Sequence, residues 1–254
     1  VNSAIGNDGG GSLTLRADLD GTGSGTVTFG PHGSVTLGGG TASVYYNPSS
    51  YASPTDYAPY FAGVVPTAYM LVNSLNQLGA MRTNLNGAYA LGRDIDASAT
   101  HGGVGFDPIG TWESRFTGIL DGQGHTIDNL FINRPTTTQV GLFGVMEAAV
   151  VRDLGLVGAE VTGDWRVGGL AGHVLAGSVI ERAYVTGLVT AQGQTVGGLV
   201  GINDGAIRDC YSKAAVSGTS FVGGLVGANY MRGCTIDGSF SCGSVSGSGG
   251  GLAG

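Results

Sequence analysis

Two short stretches of this 254-residue chain hold residues whose types and spacing could do chemistry. In "RDIDA", Asp94 and Asp96 lie two apart, which on a β-strand places both carboxylates on one face. In "DGQGHTID", Asp121, His125 and Asp128 cluster around a turn. A carboxylate pair flanking a glycosidic bond is the acid–base machinery of polysaccharide hydrolysis, so these residues form the one candidate catalytic patch. A plainer use competes with it. Asp is favoured at corners because its short side chain accepts hydrogen bonds from nearby backbone N–H groups. The structural reading of Asp94 and Asp121 is the one adopted, and the chain is expected not to be an enzyme.

Other reactive groups are dispersed. His32, His101, His125 and His173 sit in unrelated contexts, with neither an H-E-x-x-H motif nor Cys–His metal spacing. No metal and no cofactor are expected. Cys210, Cys234 and Cys242 admit two readings, as small apolar fillers or as a Cys234–Cys242 bridge with Cys210 left over. Glycine-rich loops such as "GGGTAS" lack the Gly-Lys-Ser/Thr sequence of a phosphate cradle and read as turns. A tyrosine- and proline-rich window at 45–70 offers a different chemistry. Flat rings pack on sugar faces, which makes Tyr45, Tyr46, Tyr51, Tyr57 and Tyr60 the candidate ligand-binding residues for a glycan or a partner protein. The same amphipathic rings could instead hold an irregular excursion against the body of the fold.

Composition limits the partners. Lys and Arg total 11 against 18 Asp and Glu, for a net charge of −7. With no basic cluster to neutralise phosphates, nucleic acid is not an expected partner. No apolar run approaches the roughly 20 residues that span a bilayer. The chain opens on Val1 and stops inside a repeat, so it reads as a segment of a longer protein whose targeting signals lie elsewhere.

The elements that must position these residues are repeats. "VGLFG", "VGGLAG", "VGGLVG", "VGGLVG" and "GGLAG" place Leu142, Leu170, Leu199, Leu225 and Leu252 at intervals of 26 to 29 residues. At a fixed phase behind them come "VRDLGLVGAEVTG", "IERAYVTGLVTAQG", "IRDCYSKAAVSG" and "IDGSFSCGSVSG". Each unit thus carries about three short strand-like pieces separated by Gly and Asn-Asp turns. Such a unit buries too little surface to stand alone and must stack on its neighbours. The 50 glycines keep no G-X-Y period, which excludes collagen. Stacking predicts two interior columns, one of the five leucines and one of Val140, Val167, Val196 and Val222. Five stretches follow: N-terminal β coils at 1–44, the excursion at 45–70, a flanking helix at 71–87, β coils at 88–139 and regular repeats at 140–254. The helix is predicted from Val72, Leu75, Leu78, Met81 and Leu85 at three-to-four spacing, with Asn73 or Ser74 to start it and Gly87 to end it.

The repeated "VGGLVG…I..CYS..AVSG" unit resembles the GLUG motif of bacterial surface and secreted proteins, which also occurs as a repeat module in streptococcal-type immunoglobulin A proteases. The stretch from "LVNSLNQLGAMRTNLNGAYALGRDIDAS" through "FTGILDGQGHTIDNLFINRP" to "VGLFG" resembles the segment preceding such repeats in filamentous-haemagglutinin-like exoproteins. Together the resemblance spans nearly all of residues 12 to 254. It implies an all-β fold, a right-handed parallel β-helix, outside the cell or on the bacterial surface, serving adhesion, aggregation or biofilm formation. It also implies export through an outer-membrane transporter partner, the two-partner secretion route. The zinc motif of the protease relatives lies outside their repeats and is absent here. On this reading the segment is a non-enzymatic rigid stalk. Its partners would be a surface glycan or protein, or copies of itself in an extracellular filament, and a polysaccharide-active β-helix enzyme is the remaining alternative.

Overall fold

The computed structural model describes residues 1–247. Its strands pair in parallel and build a solenoid whose walls are sheets running along the stacking axis. The longest wall takes one strand from each of nine coils: Leu13–Arg16, Ala42–Tyr46, Thr67–Val72, Ala88–Leu91, Ile119–Asp121, Val150–Arg152, Val179–Glu181, Ala206–Arg208 and Thr235–Asp237. At the usual spacing of parallel strands it extends about 38 Å. A second wall climbs from Ile95–Asp96 through Thr126–Asp128, Gly155–Gly163, Tyr184–Ala191 and Tyr211–Ser212 to Phe240–Ser241. A third consists of Phe143–Met146, Ala171–Val174, Val200–Asn203 and Val226–Asn229, flanked by a narrow sheet of Val167–Gly168, Gln194–Gly197 and Ser220–Gly223.

The predicted columns are present. Val140, Val167, Val196 and Val222 pair in register from coil to coil. Leu142, Leu170, Leu199 and Leu225 are all buried, and the Leu170 and Leu199 amides each donate to the next coil's leucine carbonyl at 2.9 Å. Leu252 lies outside the described residues. A third column on the long wall runs Val151, Ile180, Ile207, Ile236. Each fully buried aliphatic side chain contributes roughly 1.5–3 kcal/mol, and every column is shared between coils. The paired glycines divide the Gly-Gly-Leu piece into two strands, so each regular coil has four sides where the sequence indicates three.

The helix is shorter than predicted. Only Leu75–Ala80 is α-helical, followed by a 3₁₀ turn at Met81–Thr83. Val72 belongs to the strand Thr67–Val72, where pairing with Ala88–Leu91 outweighs the helical period. Ser74 is the N-cap and accepts from the Gln77 amide, while Gln77 accepts from the Asn73 amide at 2.7 Å. Leu78 and Met81 are fully buried. The excursion is also narrower: Tyr45 and Tyr46 close one wall strand and Thr67 opens the next, so the irregular run lies within 47–66, interrupted by the two-residue strand Phe61–Ala62. All four prolines of the window fall between strands, where no ladder donor is lost.

Two corners of the coil carry left-handed, non-glycine residues. Asp153, Arg182 and Asp209 (φ 53°, 49° and 51°) stack at one; Gln139, Arg166, Thr195 and Phe221 (φ 54°, 61°, 67° and 50°) stack at the other. This conformation is uncommon outside glycine and for β-branched Thr195 a true outlier. Repetition in register shows that the coil geometry imposes it.

Candidate functional site

Three carboxylates of the sequence-derived patch, Asp94, Asp96 and Asp121, are committed to the fold. Asp121 is 3% exposed; it accepts from Arg152 Nε at 2.8 Å and from the Gln123 amide at 2.9 Å. Asp94 accepts from His125 Nδ1 and from the Thr126 amide, both at 3.0 Å, and the Thr126 N–H holds its carboxyl below the usual range. Asp96 caps the Ser98 amide, which lowers its pKa likewise, and lies in register with Asp128 on the second wall. A general acid at neutral pH needs a raised pKa, and the shifts at Asp94 and Asp96 run the other way.

Tyr46, Tyr51 and Tyr57 face the main core, while Tyr45 lies in a small separate cluster on the other face of the long wall. Tyr45, Tyr46, Tyr51 and Tyr57 are buried, and a buried ring has no face to offer a sugar. Tyr51 and Tyr57 donate their hydroxyls to the Leu71 and Val27 carbonyls, and the Tyr46 hydroxyl accepts from the Thr55 amide. Tyr45 stacks on Tyr69 at 4.9 Å between ring centroids. Tyr60 is the partly exposed one, and it stacks on Phe29 at 4.4 Å. These rings pin the excursion to the solenoid, the other use the sequence allows. Outside the second wall, Tyr184, Tyr211 and Phe240 form a ladder. Their faces cover one another, leaving mostly edges to solvent.

Cys210 is interior, with burial pushing its thiol up to about 11; Cys234 and Cys242 are free thiols nearer the surface. Among the described residues, no three His, Cys, Asp or Glu side chains come together as a metal site.

A different cluster has the form of a site. Both tryptophans of the chain, Trp112 and Trp165, border a cavity of 320 Å³ together with Arg166, His173, Asp204 and Tyr230. The coil repeat brings them together. His173 lies on the strand Ala171–Val174, and Asp204 follows the strand Val200–Asn203 that pairs with it. Trp165 and Arg166 form the left-handed corner just before Val167, and Tyr230 follows the strand Val226–Asn229. Trp112 comes from the turn closed by Thr111 and Ser114, whose backbone groups bond at 2.8 Å.

His173 Nε2 and Asp204 Oδ2 are 2.8 Å apart, with side chains only 7% and 8% exposed. Burial, the dominant influence, drives the imidazole pKa below its ordinary value against the pull of Asp204. The neutral ring donates from Nε2 to the carboxylate and keeps a lone pair on Nδ1. That Nδ1, Asp204 Oδ1 and Arg166 Nε are buried without a protein partner. Each such atom costs about 1–3 kcal/mol unless solvent satisfies it, and all three belong to side chains that border this cavity. The indoles are 44% and 42% exposed. Arg166 lies over Trp165 at 4.6 Å and Arg115 over Trp112 at 4.8 Å. Arg115 is paired with Glu147. Trp112 also borders a 280 Å³ hollow with Glu113 and Arg134, and Trp165 borders another of 280 Å³ with Asp164 and Gln194. Each indole thus borders two hollows, and the groove between the indoles is the central cavity. A larger, shallower hollow beside the helix contains none of these unpartnered atoms.

The buried histidine sets a pH dependence. A group disfavoured as a cation in the fold supports stability above its unfolded pKa, and that support is lost as pH falls. Stability should therefore hold steady just above pH 6.5, the ordinary value. Below it, stability should decline by at most about 1.4 kcal/mol per pH unit for the one proton. Urea midpoints measured from pH 8 to 5 should show the slope, and His173→Gln should remove it. A slope that survives the substitution would assign it elsewhere.

Comparison with known sequences places part of this groove within the repeats. The GLUG motif matches residues 163–190 and 192–217. The chain carries GLUG repeats. Trp165, Arg166, His173 and Asp204 all lie in the two matched copies. The chain is 39% identical over 159 residues to halomucin of Haloquadratum walsbyi, an alignment covering 58% of this chain and 2% of that protein. It is 39% identical over 102 residues to a Gly-rich membrane protein of Evansella cellulosilytica, covering 39% and 11%. These curated relatives are thus far longer than the stretch they share with it. Among solved structures, an immunoglobulin A1 protease-like protein from Bacteroides ovatus superimposes with a TM-score of 0.61 at 25% identity, covering 73% of this chain and 61% of that one. The likeness supports the parallel β-helix.

Trp112, Trp165, Arg166 and Asp204 carry no motif in the sequence, and His173 stands there in no recognisable context. The spacing does carry a signal. His173 and Asp204 are 31 residues apart, close to one repeat, which brings them to adjacent coils on one side.

Proposed function

We propose that this chain is a segment of a secreted or cell-surface protein in which it serves as a rigid, non-enzymatic β-helical stalk for adhesion, aggregation or biofilm formation. One observation carries the reading. A single register runs unbroken along the long wall through Tyr46, Met70, Tyr89, Leu120, Val151, Ile180, Ile207 and Ile236. Bending such a wall would open buried columns in several coils at once. The kinship with halomucin, with a Gly-rich membrane protein and with an immunoglobulin A1 protease-like β-helix supports a place outside the cytoplasm. Among the described residues no helix is long and apolar enough to cross a membrane. Export by the two-partner route belongs to the same proposal.

The test is a replacement within the full-length protein on its own cells. Deleting residues 13–247 should reduce surface attachment at least tenfold while export continues. Inserting an unrelated parallel β-helix of equal coil number should restore it, because a spacer is defined by length and stiffness. Unchanged attachment after deletion, or no recovery with a displayed replacement, would count against the stalk.

A further inference from the structure

We propose that the groove between Trp112 and Trp165 binds an oligosaccharide of pyranose sugars, held by the two indoles and by hydroxyl hydrogen bonds to His173, Asp204 and Arg166. The unpartnered atoms select this chemistry. His173 Nδ1 and Asp204 Oδ1 are acceptors and Arg166 Nε is a donor. A sugar hydroxyl both donates and accepts, so one ligand chemistry suits both kinds of group. A carboxylate only accepts and would leave both acceptors unmet; a phosphate, even with a protonated oxygen to donate, is an anion that Asp204 repels. A metal cation would find one carboxylate, already engaged by His173, and face the charge of Arg166.

The aromatic groups agree. A pyranose alternates apolar C–H faces with polar rims, which matches the half-exposed Trp165 and the exposed edge of Trp112, whose ring carries Arg115 and stacks on His173, beside fixed polar groups. Peptides added to a sheet need an unpaired strand edge. The strands beneath this groove, Ala171–Val174 and Val200–Asn203, are each paired on both sides. The flanking hollows, each sharing an indole with the central cavity, give room for sugars on either side, so the ligand is a chain rather than a monosaccharide. Rigidity is supplied by the corner: Arg166 and Thr195 are held at φ 61° and 67°, and Trp165 Nε1 donates to Thr195 Oγ1 at 3.2 Å.

The two indoles are the chain's only tryptophans, so intrinsic fluorescence reports the groove directly. The probes are a soluble β-glucan, a xylan, chitin oligomers, a uronate polymer and sialylated oligosaccharides, with inorganic phosphate and a random peptide pool as controls. At least one saccharide class should shift the emission saturably with a Kd tighter than about 1 mM, and neither control should. By calorimetry, Trp165→Ala should weaken that binding at least tenfold with circular dichroism unchanged. Asp204→Asn, which keeps the shape, should weaken it as well. The proposal fails if no saccharide binds, if only phosphate or peptide binds, or if Trp165→Ala and Trp112→Ala both retain full affinity. Those failures would leave the stalk reading standing, since it rests on the long wall.

Discussion

Replacing Gly201 with alanine is expected to destabilise the solenoid by about 3 kcal/mol, although only one methyl group is added. A Cβ at Gly201 would lie 2.6 Å from the Arg166 carbonyl carbon, 2.6 Å from the Gly172 oxygen and 2.7 Å from the Val167 nitrogen. All three are backbone atoms of the preceding coil, so no side-chain rotation can relieve the overlap. The coils must separate locally, opening the valine and leucine columns on either side. Gly172 and Gly227 meet the preceding coil's backbone in the same way, which makes this glycine a spacing element of the repeat. Gly124 provides the contrast. Its φ of +82° strains any substituent, but nothing lies within 4 Å, so Gly124→Ala should cost only about 1–2 kcal/mol. Urea unfolding followed by circular dichroism measures both. Equal losses would mean that backbone conformation, not coil contact, demands the glycine.

That result would explain why the architecture was legible in the sequence. Each "VGGLVG" states two requirements together: apolar residues for the interior columns, and glycine where one coil's backbone presses on another's. Stacking makes the columns follow from repetition alone, and Val167, Val196 and Val222 meet with no further information. The helix boundary was less legible because Val72 fits both a helical and a strand pattern, and only pairing with the neighbouring strand decides between them. The excursion misled for a related reason. Tyrosine serves a buried wall and a wet surface equally well, and residue type does not tell which side of a strand faces in.

The candidate site was legible only in part. Trp165, Arg166, His173 and Asp204 occupy positions of the regular coil, so once the repeat is known their side of the solenoid is known. Trp112 is different. It comes from the turn between Gly110 and Arg115, outside the regular repeats, and its approach to His173, 5.9 Å between ring centroids, depends on how that loop folds back. Nor does sequence show which polar atoms go unpartnered, since that depends on every neighbour at once. The acidic patch has a spacing that suits catalysis, yet Asp94, Asp96 and Asp121 each hold a backbone amide, the structural use that the sequence reading adopts.

Arg152→Ala should be the most damaging change on the outer side of the long wall, with a loss of about 3–5 kcal/mol. Along that wall Asp121, Arg152, Glu181, Arg208 and Asp237 stand in register with alternating sign. Exposed cross-strand pairs of this kind contribute only about 0.2–1 kcal/mol. Asp121 is the exception because its side chain is 4% exposed, next to a small cluster of Tyr45, Tyr69, Leu71 and Ala90. Arg152 bonds both the Asp121 carboxylate and the Tyr69 hydroxyl, the latter at 3.1 Å. Without Arg152, a charge stays buried with the Gln123 amide as its remaining partner. Two further variants separate pairing from packing. Arg208→Ala, farther along the ladder on an exposed residue, should cost under about 1 kcal/mol. Asp121→Leu combined with Arg152→Met should recover most of the single-mutant loss, since replacing a buried pair by apolar groups of similar volume is often nearly neutral. If Arg152→Ala proves as mild as Arg208→Ala, Asp121 must find water in the folded protein, and its role would again be open to chemistry.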